Sequence, residues 1–316
     1  MKRREFLAAG AAAAVALSSN IDLKAEVTDS TYDGKSANQQ ANAHLCLCSQ
    51  LGIIPGNGVE EKFAKMKAWG MEAAEFGGDV ADPSRAESYK KALADAGLKA
   101  AAVCWGSHGG DLMSFEKERK QRGTDDLKKV LEGAGILGCT GVIYVPAFNG
   151  QSPLTNQEIR KMLLDDFPAL ADFAAECGTT IIFEPLNRGE AFFLRQVADG
   201  AAIARDINEA SEKKCGMAVM GDFYHMSIEE TDMMGAFISG GKLLKHVHLA
   251  GGVSNPRRTL PGLNQSRFVE GFRGLKYIGY TGPCSFECGC PGELDREEAI
   301  QNSLNFLRKE YELAVI

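Results

Sequence analysis

From His44 onward, short apolar runs alternate with amphipathic stretches. The runs are His44–Ser49, Ala73–Phe76, Leu98–Trp105, Gly141–Pro146, Thr179–Glu184, Cys215–Asp222, Leu244–Leu249 and Pro283–Cys288. Each is near-continuously apolar, as a strand buried on both faces must be. Helical periodicity fills the intervals, for example over Val59–Trp69, Asp125–Leu137, Gln157–Glu176 and Glu297–Leu313. Gly70, Gly97, Gly138, Gly178 and Gly279 each fall shortly before a strand, where a helix C-cap needs glycine. Eight strands, each followed by a helix, predict an α/β chain of the (β/α)8 TIM-barrel type. A doubly wound sheet is the rival, but no Gly-x-Gly-x-x-Gly follows the first strand. Gly77-Gly78 and Gly109-Gly110 read as loop turns.

Composition narrows the class. The 316 residues carry 35 Lys+Arg against 42 Asp+Glu, a net charge of −7, with 45% hydrophobic and 24% charged residues. That is ordinary globular composition, and the acidic balance argues against a non-specific nucleic-acid binder. No later segment is apolar for the roughly 18 residues of a membrane span. Nine cysteines are an odd number, and most sit in or beside apolar runs, so they read as small buried thiols. A homo-oligomer is compatible with this reading.

The first residues read as a targeting segment. Arg3-Arg4-Glu5-Phe6-Leu7 precedes an Ala-rich run from Ala8 to Leu17, which resembles a twin-arginine export signal. The expected organisation is a signal peptide over 1–25, a polar linker over 26–42 and a catalytic barrel over 43–316. Delivery to the periplasm by the twin-arginine export machinery would follow.

Barrel chemistry sits where the strands end. The fifth run ends at Glu184, the sixth at Asp222 with His225 three residues on, the seventh holds His246-Val247-His248, and the eighth ends at Glu287. A carboxylate buried without a partner costs several kcal/mol, so a shared cation explains Glu184 and Glu287 economically. His246 and His248 point to one face by strand alternation; His246 is expected to be the deeper, core histidine. His44 and His108 are either rim residues or loop ends.

These segments resemble the xylose-isomerase-like barrels, above all the ketose 3-epimerases. Glu184-Pro185-Leu186-Asn187-Arg188 resembles their Glu-x-x-Asn-Arg strand end, and Asp222 to Glu230 resembles Asp-x-x-His-Met-x-Ile-Glu-Glu. His246-Val247-His248, followed by Arg257, Arg258, Pro261 and Gly262, resembles their His-x-His…Arg…Pro-Gly loop. The resemblance implies one divalent metal ion on Glu184, Asp222, His248 and Glu287, with the two Glu as acid/base pair. It also implies substrate contacts from His225 and Arg258, with Glu190 and His108 as further candidates. Three carboxylates and an imidazole suit manganese, with cobalt or magnesium as alternatives. The implied reaction is isomerisation or epimerisation of a small sugar by proton abstraction beside its carbonyl, through an enediolate. Should either Glu be a ligand only, the proton transfer would move to a rim group such as His108 or Glu75.

Three alternatives stand beside this. An exported 3-keto-glycoside lyase would use the same metal and Glu pair. An abasic-site endonuclease shares the barrel but needs more His ligands than Asn255-Pro256-Arg257-Arg258 can supply, and a basic surface. A non-catalytic sugar-binding barrel would leave the paired Glu184 and Glu287 without a task.

Overall fold

The computed structural model describes residues 42–316. The expected signal peptide, and all of the expected linker except Asn42, lie outside the described residues. Eight parallel strands close into one barrel in sequence order. They are β1 (Cys46–Gln50), β2 (Ala73–Gly77), β3 (Lys99–Gly106), β4 (Val142–Tyr144), β5 (Ile181–Phe183), β6 (Met217–Asp222), β7 (Leu244–Leu249) and β8 (Pro283–Phe286). β8 returns to β1, with Cys46 opposite Pro283 and Leu47 opposite Cys284. Every expected strand is present. β4 and β5 are shorter than their apolar runs, because Val145, Pro146 and Glu184 already belong to the loops at the rim.

Helices α1 (Val59–Ala68), α2 (Pro83–Ala96), α3 (Lys117–Leu137), α4 (Asn156–Glu176), α5 (Val197–Ala210), α8 (Val269–Tyr277) and α9 (Arg296–Leu313) follow strands as the pattern predicts. β6 departs from one helix per strand. It is followed by α6 (Phe223–Glu229) and then α7 (Met233–Gly240), each opened by an Asp whose side chain accepts from a first-turn backbone N–H. α2 and α3 end on Gly97 and Gly138 at φ 63° and 73°, a left-handed turn that glycine adopts without strain. Among the described residues, no helix is long and apolar enough to cross a membrane.

Strand alternation divides the buried residues into two layers. Leu47, Ala74, Phe76, Val103, Val142, Tyr144, Ile181, Phe183, Val219, Val247, Cys284 and Phe286 face the helices and join the main core. Ala102, Ile143, Ile182, Ala218 and Met220 pack separately inside the barrel, as do Cys46, Cys48, Ala73 and Ala101. Counting in steps of two from Cys48, Ala73, Ala102, Ile182 and Met220 reaches Gln50, Glu75, Cys104, Glu184 and Asp222, while His246, His248 and Glu287 alternate with the helix-facing Val247 and Phe286. Alternation thus aims every one of them into the upper end of the barrel. All nine cysteines are free thiols; Cys215 is exposed, while Cys46, Cys48, Cys139 and Cys284 are buried.

Candidate metal centre

Glu184, Asp222, His248 and Glu287 each present a ligand atom, and these atoms all lie within 4.8 Å of one another. Asp222 and His248 are direct partners in the β6–β7 register. Glu184 follows the last residue of β5, and Glu287 follows the last of β8, its backbone N–H reaching Leu249 O. His248 Nδ1 stands 3.0 Å from Glu287 Oε2, 3.5 Å from Glu184 Oε1 and 4.0 Å from Asp222 Oδ2.

The hydrogen-bond inventory shows what this arrangement suits. Glu184 Oε1, Asp222 Oδ2, His225 Nε2 and His248 Nδ1 are all buried without a well-formed hydrogen bond. Such orphans are rare in a folded core, because each unpaired polar atom costs about 1–3 kcal/mol. Here they converge on one point. Three hard carboxylate oxygens and one imidazole nitrogen fit a divalent cation of the manganese or magnesium kind.

The electrostatics agree. Burial pushes Asp222 up to about 8, aided by the charge of Glu287. Burial also raises Glu184. For His248 burial acts downward, but the Glu287 and Glu75 carboxylates outweigh it and hold the imidazole well above its usual range. Glu287 also resists burial and falls to about 2, under the pull of His248 and Arg258. The cluster is short of positive charge, a deficit that bound protons or a divalent cation could make up.

Three of the sequence-predicted substrate residues surround this centre. Arg258 Nη2 lies 2.8 Å from Glu287 Oε2 and 3.6 Å from Asp222 Oδ2, while Nη1 approaches Glu190 Oε1 at 3.4 Å. Its guanidinium sits 4.9 Å from the Tyr224 ring centroid. His225 Nδ1 lies 2.8 Å from Asn187 Nδ2 and accepts the Asn187 backbone N–H at 3.2 Å. An accepting Nδ1 fixes Nε2–H as the donor, aimed at the cluster 3.4 Å from Asp222 Oδ2. Burial and the charge of Arg258 lower His225 to about 3, so it stays neutral. Glu190 caps the Asn187 amide at 2.9 Å.

His108 is placed differently. It stacks on Trp105 at 5.1 Å and faces Asp126 and Asp111 at 3.2 and 3.7 Å, outside the group of four. His246 is the deep histidine, as alternation implies, fully buried with Nε2 2.8 Å from Glu75 Oε2. Glu75 lies in the barrel interior rather than at the rim. Gln50 and Cys104 were not legible as site residues, yet Gln50 Nε2 donates to Glu287 Oε1 at 3.1 Å and Cys104 Sγ lies 3.9 Å from the same oxygen. Their inward parity was the available signal. A cavity of 570 Å³ opens at the opposite barrel end, beside Lys99, Lys242 and Tyr280, but no carboxylate or imidazole lines it.

The family model for the xylose isomerase-like TIM barrel matches residues 63–310. The chain belongs to this family. It is 32% identical over 265 residues to the 3-dehydro-D-guloside 4-epimerase of Escherichia coli strain K12, covering 81% of this chain and 96% of that one. It is 27% identical over 241 residues to the ketose 3-epimerase of Arthrobacter globiformis, covering 75% and 79%. A solved E. coli 3-keto-D-glucoside 4-epimerase superposes with a TM-score of 0.72 at 28% identity, covering 84% of this chain and 100% of that one. A D-psicose 3-epimerase solved in the presence of D-fructose gives a TM-score of 0.72 at 21% identity, over 86% of this chain and 100% of the other, a likeness of fold. These xylose isomerase-like relatives are sugar epimerases, and they support an isomerase or epimerase enzyme; the lyase alternative gains nothing from them.

Proposed function

We propose that this chain is a divalent-metal-dependent epimerase of an oxidised sugar, inverting a carbinol centre beside a carbonyl. The observation that carries the reading is the convergence of Glu184 and Glu287 with the orphaned atoms of Asp222 and His248. Bound there, a divalent cation would polarise the substrate carbonyl and acidify the neighbouring C–H. Glu184 and Glu287 follow β5 and β8, which are not neighbours in the barrel, so they can approach a bound sugar from different sides. One carboxylate takes the proton from the carbinol carbon, leaving an enediolate. The other returns a proton to the opposite face. Arg258 stabilises the developing oxyanion, and His225 donates Nε2–H to a substrate oxygen while remaining neutral.

Manganese suits the donor set best, with cobalt or magnesium next. Among substrates, 3-keto-glycosides come first. The relative named for a 3-dehydro sugar matches over nearly its whole length at 32% identity, above the ketose 3-epimerase at 27%. A glycoside substrate also accords with export through Arg3-Arg4, which we retain as part of the reading. The deciding experiment offers the Mn²⁺-loaded enzyme a 3-keto-glucoside and, separately, D-fructose in heavy water. Inverted product carrying deuterium beside the carbonyl is expected from the glycoside. Release of the aglycone without inversion would replace epimerase with lyase.

A further inference from the structure

Glu75 has no place in the proton transfers described above, yet its environment is unusually specific. Its carboxylate is 1% exposed and receives three donors. His246 Nε2 stands 2.8 Å from Oε2, His248 Nε2 lies 3.1 Å from Oε2 and 3.2 Å from Oε1, and Gln50 Nε2 donates to Oε1 at 2.9 Å. Gln50 reaches onward to Glu287 Oε1. One side-chain network therefore runs beneath the metal centre from β2 to β7 and through β1 to β8.

An imidazole that donates Nε2–H to a carboxylate carries its free lone pair on Nδ1. His248 Nδ1 is the nitrogen that faces Glu184, Asp222 and Glu287. We infer that Glu75 is a positioning residue, locking His248 in the Nε2–H tautomer so that Nδ1 is offered to the cation, while Gln50 ties the same carboxylate to Glu287. His246 anchors Glu75 from below. The inference rests on the metal-site reading above, and it assigns to β1 and β2 a task that the ligand set alone does not reveal. A carboxylate behind a ligating histidine both orients the ring and raises its basicity, and loss of such a partner typically weakens metal binding about tenfold to a hundredfold.

The test compares wild type with Glu75→Gln, each stripped of metal, by following free Mn²⁺ in electron paramagnetic resonance titrations. The Gln amide offers one acceptor oxygen to three donors, so its dissociation constant should rise by about tenfold to a hundredfold. A second readout is proton NMR of the Co²⁺-loaded protein. The single ligating histidine should give one hyperfine-shifted, solvent-exchangeable N–H line from Nε2, slow to exchange in wild type and fast or displaced in Glu75→Gln. Equal Mn²⁺ affinity with an unchanged line would overturn the positioning role and leave the metal site standing. A wild-type chain that binds no Mn²⁺ would overturn both. Should Glu75→Gln not fold, Gln50→Leu decides: weaker Mn²⁺ binding and a displaced line support the network, and wild-type values for both overturn it.

Discussion

Arg258 Nη2 donates to Glu287 Oε2 across 2.8 Å. The long loop after β7 thereby lays a guanidinium on the carboxylate that closes β8, beside the point where the four ligand atoms meet. Arg258 itself sits at φ 49°, in the left-handed region that non-glycine residues seldom occupy. Such a conformation persists only where its surroundings hold it, and it aims the side chain inward.

Arg258→Ala should accordingly reduce kcat/KM by about a hundredfold or more, the usual cost of removing an oxyanion donor. Metal affinity should change far less, because Arg258 is no ligand. Steady-state kinetics alongside Mn²⁺ titration check this; an unaltered kcat/KM would remove Arg258 from the reaction.

Glu184→Gln and Glu287→Gln should each retain part of the metal binding, since an amide oxygen still ligates. Turnover should fall by roughly a hundredfold to ten-thousandfold, the span of general acid–base contributions. Deuterium uptake beside the carbonyl is the measurement. A metal-loaded variant that exchanges at the wild-type rate would make that Glu a ligand only.

Metal affinity should depend on pH in a defined direction. In the metal-free chain the raised Asp222, at about 8, and the raised Glu184 and His248 hold protons that binding must expel. Protons therefore compete with the cation, and Mn²⁺ affinity should climb as pH rises toward about 8. Calorimetric titrations in buffers of different ionisation enthalpy should also register proton release. A flat pH profile would mean that the cluster is already deprotonated without metal.

Replacing Arg3 and Arg4 together with Lys should hold the protein in the cytoplasm, because the export receptor reads the arginine pair itself. Fractionation of cells carrying the two forms tests this. Equal periplasmic delivery would point to another route.

The barrel was legible because strands buried on both faces must be apolar throughout, and eight such runs stand out against helical periodicity. The four clustered residues were legible for the opposite reason: Glu184, Asp222 and Glu287 are charges at the ends of apolar runs, where burial demands a partner. Glu75 has the same signature within Ala73-Ala74-Glu75-Phe76, but what it binds is set across the barrel. β2 and β7 are not hydrogen-bonded neighbours, so only closure brings Glu75 to His246 and His248. Gln50 is uncharged and gives no such warning. The second helix after β6 was hidden for a local reason: Asp232 accepts the Gly235 N–H and starts a new helix two residues beyond Glu230.

The four clustered side chains all come from the second half of the barrel, β5 to β8, whereas Gln50, Glu75 and Cys104 reach them from β1 to β3. The chain is thus divided into a chemical half and a supporting half. The loops that leave β1 to β4 overhang the same mouth yet contribute none of the four, so they are free to diverge without disturbing the reacting groups. Exchanging those loops for another family member's, with the strands and hence Gln50, Glu75 and Cys104 kept, should alter substrate choice while the four clustered groups stay in place.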